Sequence, residues 1–534
     1  MNRDNRNNYK ITLLVGILCI IVILTSTSYA YFKTRIKGDG STISITGGKL
    51  NLVINENKIN LTNVAPIYEN QKDTKASKNE FSINLSNTGV SKACYNIYLD
   101  VDNIGTNLQN RFLKYELSDG TNTYAGNFDG VASGTKIIMV RNESLTSSSP
   151  SKNYTLKLWL QYSESDDQGY ILEGDEASRT FEGKLHITGT TGECKSKTLA
   201  EAMLEDNKVL PDRTDFSVTN TSNTTGTIYQ TNKTEDGSTV YYYSGNTSNN
   251  WVKFGGFYWR IIRTNEDKSI RLLYSGTSHD TASGYIILSK FSGTTTSSMY
   301  NNPMYAGYMY GTSGSLESNR TNTNNSTIKA EIDNWYDYNL YDDYNKYVSK
   351  TAIYCNDRSV KDNSYSMENT FIYASRERLE SNKTPTYKCG GDGNGGLFED
   401  SQAIEDKFSA STEGGGNGQL EDPIALMTAD EVSFAGGVFG IEQSNKYSYY
   451  YTNSIGESIT GNNQWWLLSP ERFYYGDVDV FGVDGSDYPA RLRRTFVDRK
   501  VAIRPVLSLS SCVKMTGRGT ADDPYQVDES ASTC

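Results

Sequence analysis

Histidine is almost missing from this chain: His186 and His279 are the only two among 534 residues. Such scarcity removes the commonest general base and the commonest metal ligand from most of the sequence. There is no H-E-x-x-H run, no C-x-x-C pair, no G-x-S-x-G elbow and no G-x-x-x-x-G-K-[ST] loop. Zincin, zinc-ribbon, thioredoxin, serine-hydrolase and P-loop chemistry therefore lack their sequence basis. Positive charge is also short, since 52 Lys and Arg against 63 Asp and Glu leave a net charge of −11. A nucleic-acid binder needs a basic footprint to displace counterions, and the only local candidate is the short cluster of Arg491, Arg493 and Arg494. Nucleic acid is not an expected partner.

Tyrosine, by contrast, occurs 39 times, and Asn, Ser, Thr and Gly are heavily used. With 36% hydrophobic and 22% charged residues the chain is polar but foldable, and its length suits two to four domains. Long helical patterns are rare, so strands and loops should dominate.

Apolar residues concentrate once, near the start, in "MNRDNRNNYKITLLVGILCIIVILTSTSYAYF". Basic residues precede an apolar run from Ile11 to Leu24, and Ser28-Tyr29-Ala30 offers a small-x-small cleavage site. This is a secretory signal layout over 1–30, with an uncleaved anchor reaching Phe32 as the alternative; a full span takes about 20 apolar residues. Any contact with a membrane runs through this segment. Loss of residues 1–30 would bring the net charge to −13. The expected location is outside the cell or on the outer face of its membrane.

Cysteine usage fits export. Apart from Cys19, six remain: Cys94, Cys194, Cys355, Cys389, Cys512 and Cys534. An even number in an exported chain implies disulfides, and six cysteines allow fifteen connectivities. Their positions suggest the local pairs Cys94–Cys194, Cys355–Cys389 and Cys512–Cys534.

Apolar and polar residues alternate in "STISITGGKLNLV" (41–53), "FSINL" (81–85), "YNIYLDV" (95–101), "YTLKLWL" (154–160) and "GKLHI" (183–187), with turn-rich segments between them. That pattern predicts an all-β sandwich over 31–194. "KTLAEAMLEDNK" predicts a short helix with Leu199, Met203 and Leu204 on one face, followed by a polar connector to 248. Strands at 256–263 and 270–274 flank an Asn-Glu-Asp-Lys turn. Helical spacing recurs in "STIKAEIDNWYDYNL" (326–340) and in "MTADEVSFAGGV" (427–438), the latter closed by Gly436-Gly437. The C-terminal half over 249–512 therefore reads as α+β, with a tail at 513–534.

Two resemblances follow from these stretches. "SYAYF" with "GGKLNL" (47–52) resembles the start of camelysin/TasA-type matrix proteins of Gram-positive bacteria, which implies an exported β-sandwich capable of self-assembly. The stretch from Trp251 to Leu509 resembles an uncharacterised C-type-lectin-like domain of bacterial surface proteins. The matching segments are "FGGFYWRIIR", "RLLY", "IDNWY", "CNDRS", "PIALMTADEVSFAGG", "WWLLSP" and "IRPVLSL". This second resemblance implies a C-type-lectin-like fold, which hosts protein and glycan binders alike. The Glu-Pro-Asn, Gln-Pro-Asp and Trp-Asn-Asp triplets of calcium-dependent sugar binders are missing, so calcium-bridged sugar recognition is not implied.

Chemistry was sought in three further places. Cys355 with His279 would make a thiol–imidazole pair, against a structural disulfide. Asp479/Asp484 and Asp430/Glu431 are carboxylate pairs of the kind that acid–base catalysis uses. No cofactor is expected; the single opening for a structural calcium ion is "GGDGNGGLFED" (390–400), where Asp392 and Asn394 alternate as in a calcium loop.

The densest segment is "GNNQWWLLSPERFYYGDVDVFGVDG" (461–485). In an extended strand Trp465 and Leu467 face one side, Trp466 and Leu468 the other, so both faces are apolar and the strand is central. Pro470 should end it, and Asp484-Gly485 should turn a hairpin whose acidic outgoing strand pairs with a basic return strand. Trp466, Leu468, Val478, Val480, Ile503 and Val506 are expected in the core, and Arg504 in an ion pair or backbone contact. Glu471, Arg472, Phe473, Tyr474, Tyr475, Tyr488, Arg491 and Arg493 are expected at the surface. Tyr and Arg are enriched in binding hot spots, so Phe473, Tyr474, Tyr475, Tyr488, Arg491 and Arg493 form the candidate ligand site. The sequence thus predicts an adhesin-like, non-catalytic module for an extracellular protein or glycan. A matrix fibre subunit and a divergent enzyme of the formylglycine-generating type, which shares the lectin-like fold, are the alternatives.

Overall fold

The computed structural model describes residues 43–44, 50–54, 58–62, 66–76, 80–87, 91–163, 179–292, 302–311, 323–360, 370–389, 406–414, 416, 418–530 and 534. Residues 1–30, expected to be a signal or an anchor, and the calcium-like loop at 390–400 lie outside the described residues. No helix among the described residues is long and apolar enough to cross a membrane.

The alternating segments of the N-terminal half pair as two antiparallel sheets. One has the strand order 43–44, 50–54, 80–87, 151–161, 113–118, 123–127, with 66–67 added in parallel to 151–161. The other has the order 58–61, 181–191, 93–104, 136–145. Phe81, Ile83, Leu85, Tyr95, Leu99, Leu156 and Ile187 meet in one buried core between the sheets, as period-two alternation requires. His186 leaves that pattern: it is buried on the other face, stacked on Tyr98 at 4.8 Å, with Nδ1 2.8 Å from Asp100.

The C-terminal half is built on a larger sheet around 257–264, which pairs with 251–254 and 270–274; the latter continues into 505–509. The predicted hairpin is present as Phe257–Thr264 and Ile270–Tyr274. Residues 208–210, 227–231 and 240–242, expected in a polar connector, are strands of this sheet, as are 514–516 and 525–527 of the expected tail. Helix Leu199–Asp206 opens on a capping box between Thr198 and Glu201. It buries Leu199, Ala202 and Met203, whereas Leu204 faces out. Helix Thr327–Tyr336 buries Ile328 and Ile332 and packs Trp335 against Phe257. Helix Ala429–Ala435 is capped by Thr428 and closed by Gly436 at φ 120°, a conformation that suits glycine.

All three cysteine pairs are bridged as the local pairing suggests: Cys94–Cys194, Cys355–Cys389 and Cys512–Cys534, with Cα separations of 5.4, 5.2 and 5.8 Å. Disulfides of this number point to an oxidising compartment. A polar seam joins the two halves. Arg141 ion-pairs with Asp206 and donates to the Gly517 carbonyl at 3.0 Å, while Arg518 donates to the Ala125 carbonyl at 2.9 Å.

Candidate binding surface

A second sheet in the C-terminal half carries the aromatic segment. Its strands run in the order 288–289, 501–502, Trp465–Tyr474, Asp477–Val483, Leu492–Phe496, with 371–372 also pairing to Trp465–Tyr474. The last three named strands form an antiparallel ribbon. Trp465, Trp466, Leu467 and Leu468 are fully buried, which is the central-strand arrangement predicted from two apolar faces. Trp466 donates its indole N–H to the Ser289 carbonyl at 2.8 Å. Val478, Val480, Ile503 and Val506 are core residues as expected. Arg504 takes the backbone role, with Nε on the Tyr274 carbonyl at 3.0 Å and its guanidinium 4.7 Å from the Trp465 ring.

Pro470 does not end the strand. The register against Asp477–Val483 breaks between Trp466 and Pro470 and again between Pro470 and Arg472. Such bulges accommodate a residue that cannot donate to the ladder. The strand therefore continues to Tyr474, and two residues expected at the surface turn inward. Phe473 is buried against Phe371 at 5.8 Å, and Glu471 is fully buried. Phe473 is thus a packing residue rather than part of a ligand surface.

Glu471 lies 3.2 Å from Arg376 Nε and 3.4 Å from Arg472 Nε, yet neither of its carboxylate oxygens accepts a hydrogen bond. Burial pushes its carboxyl up to about 7, opposed by Arg376 and reinforced by Asp479.

The tight turn also falls elsewhere than Asp484-Gly485. Tyr474 pairs with Asp477, so Tyr475 and Gly476 make the two-residue hairpin, with φ of 48° and 87°. Two positive φ values define the turn whose twist matches a hairpin and which normally takes Asn-Gly. A tyrosine in this left-handed conformation costs about 1–2 kcal/mol relative to a relaxed backbone. The strained residue is also the most outward: Tyr475 is 81% exposed and Tyr474 41%. Their rings meet edge to face at 4.4 Å, and the Arg472 guanidinium lies 4.4 Å from the Tyr474 ring centre.

Tyr488, Arg491 and Arg493 sit at the other end of the ribbon. The link from Val483 to Leu492 is a loop rather than a tight turn, closed by Asp484 N–H donating to the Arg491 carbonyl. Tyr488 is 48% exposed, with the Arg491 guanidinium 3.9 Å from its ring centre. Arg491 Nε donates to Asp484 at 2.7 Å and Arg493 Nη1 at 3.2 Å. Asp479, on the opposite face, holds Arg472 Nε at 2.8 Å and lies 3.8 Å from Arg494. The expected acidic–basic pairing is therefore present.

The candidate site is split in two. Seven residues of strand separate its halves, about 20 Å at strand rise. Arg472 and Arg494, left out of the sequence-derived ligand set, flank Asp479; Arg494 is exposed and Arg472 is mostly covered.

The other sites sought resolve into structural roles. Cys355 is bridged to Cys389, and His279 Nδ1 is 2.6 Å from Ser454 Oγ, so no thiol–imidazole pair forms. Glu431 accepts from Arg263 Nε at 3.1 Å and Arg271 Nη1 at 2.7 Å while closing the Thr428 capping box. Asp430 accepts two bonds from Arg378, both 2.8 Å. These groups line a narrow cleft beside the Cys355–Cys389 bridge. Its carboxylates cross-link three arginines to the helix Ala429–Ala435, and both members of the Asp430/Glu431 pair are engaged.

No protein-family model matches the chain. No curated protein matches it at a significant level.

Proposed function

We propose that this chain is a secreted or surface-displayed bacterial binding protein, non-catalytic, that recognises an extracellular protein or glycan through a C-terminal C-type-lectin-like domain. The N-terminal β-sandwich is the tether or assembly unit in this reading. Support for the lectin-like assignment is the ordered set of sequence segments from Trp251 to Leu509.

The observation that carries the binding role is Tyr475. An exposed aromatic ring held at a hairpin apex in an unfavourable backbone conformation is costly to the fold, and strained backbone of this kind concentrates at functional sites. Tyr474 beside it and Arg472 behind it supply a preorganised contact surface, since tyrosine loses little side-chain entropy on binding. The direct test probes glycan and extracellular-protein arrays with the full chain and with Tyr474→Ala/Tyr475→Ala. Retention of every bound ligand by the double variant would sink the assignment.

A further inference from the structure

The far end of the ribbon carries a different chemistry. Leu492–Phe496 is the last strand of its sheet, and among the described residues its outer edge meets another segment at Leu492, where Gly440 N–H donates to the Leu492 carbonyl, while Arg493 Nε donates to the Arg494 carbonyl at 2.9 Å and Arg499 N–H to the Phe496 carbonyl. Guanidinium groups reach this edge from both faces. Arg493 shares the face of Asp484, and Arg494 shares that of Asp479 and Phe481.

The acids lie behind and the cations in front. Asp479 and Asp484 are almost wholly buried, whereas the side chains of Arg491, Arg493 and Arg494 are 24%, 30% and 44% exposed. Arg491 is gripped through Nε, and among the described residues neither of its Nη groups makes a hydrogen bond. A guanidinium held this way presents a fixed fork of donors, the geometry that matches an oxyanion in two bonds. Asp479, with Arg494 3.8 Å away, and Asp484, bonded by Arg491 and Arg493, stand five residues apart along the chain, about 16 Å in extended backbone. A partner that engages the arginines at both must carry repeated negative charge.

The geometry points to this edge as a binding site for a polyanionic glycan, whose carboxylate, sulfate or phosphate oxyanions are taken by Arg491, Arg493 and Arg494 with Tyr488 flanking. This assignment rests on the extracellular binding role above and adds a second site, with its own ligand class, at the opposite end of the ribbon from Tyr475. Arginines on an edge strand also discourage strand-to-strand association. That role needs charge alone and is indifferent to how the guanidinium is oriented, which gives the two roles different signatures.

The test measures binding of the full chain to polygalacturonate, heparin and phosphomannan, with dextran as the neutral control, across a salt series. Binding to at least one of the three polymers, weakening with salt and lost at least fivefold in Arg491→Ala and Arg494→Ala, is expected; the polymer bound identifies the oxyanion. Asp484→Asn decides the mechanism. It removes a negative charge, so simple attraction predicts tighter binding, whereas loss of the orienting carboxylate predicts weaker binding. Arg494→Lys keeps charge and fold while removing the planar fork, and is expected to weaken binding as well. Failure of all three polymers, tighter binding by Asp484→Asn, or equal binding of polyglutamate or DNA would overturn the inference. Array binding that depends on Tyr474 and Tyr475 but not on these arginines would overturn it while leaving the proposed function standing.

Discussion

Arg141, on the edge strand Lys136–Leu145 of the sandwich, forms a buried ion pair with Asp206, the last residue of the helix Leu199–Asp206. Tyr525 donates its hydroxyl to the same carboxylate at 2.5 Å, so three distant segments of the chain converge on one acid. The sandwich and the larger C-terminal sheet are therefore coupled through a desolvated polar contact.

Removing one partner of such a pair strands the other charge, which typically costs about 3–5 kcal/mol. Arg141→Ala is expected to destabilise the chain by about that amount and to divide a single calorimetric transition into two. A single transition at unchanged temperature would show that the seam contributes nothing. Replacing both partners with apolar residues, Arg141→Met with Asp206→Leu, should recover part of the loss.

The buried carboxyl of Glu471 sets a pH dependence of definite sign. Its folded value, pushed up to about 7, lies above that of an exposed glutamate, about 4.3. The folded state therefore holds the proton more tightly than the unfolded state, and stability falls as pH rises from about 4.3 to about 7. A shift of this size corresponds to roughly 4 kcal/mol. Glu471→Gln, neutral and of the same shape, should be more stable than the parent at pH 8 and nearly equal to it at pH 4. Parallel stability curves across that range would rule the effect out.

Loop length ranks the disulfides. The bridges close separations of 100, 34 and 22 residues, and the chain-entropy model assigns about 4.7, 3.7 and 3.4 kcal/mol to them. Serine pairs should therefore destabilise in the order Cys94/Cys194, Cys355/Cys389, Cys512/Cys534, as read by urea unfolding of the three variants. A reversed order would point to local packing rather than loop closure.

What was legible in the sequence was whatever depends on local period. Ile83 and Leu85, Leu156 and Leu158, and the Trp465–Leu468 run all lie where alternation places them, because side-chain direction follows from backbone geometry alone. Cysteine proximity along the chain likewise pointed to the three bridges. What escaped was set by partners far away. Pro470 reads as a strand end, but a double bulge carries the strand past it and turns Glu471 and Phe473 inward. Asp484-Gly485 reads as a tight turn, yet Asp484 is occupied by Arg491 and Arg493, and the two-residue turn falls to Tyr475-Gly476. Segments that look like connector and tail are strands of the larger sheet, with Ile228, Val240, Tyr242 and Tyr525 fully buried. The residues of the candidate set, one cluster in the sequence, therefore lie at two ends of a ribbon in the fold, with Phe473 in the core.

The central claim is that Tyr475 is kept at the hairpin apex for binding and against the preference of the backbone. The most direct measurement is Tyr475→Asn, followed in parallel by unfolding and by binding to whatever ligand the arrays identify. Asparagine suits the left-handed position, so stability should rise by about 1 kcal/mol, while affinity should fall at least tenfold through loss of the exposed ring. A variant that is no more stable and binds as tightly as the parent would contradict the account.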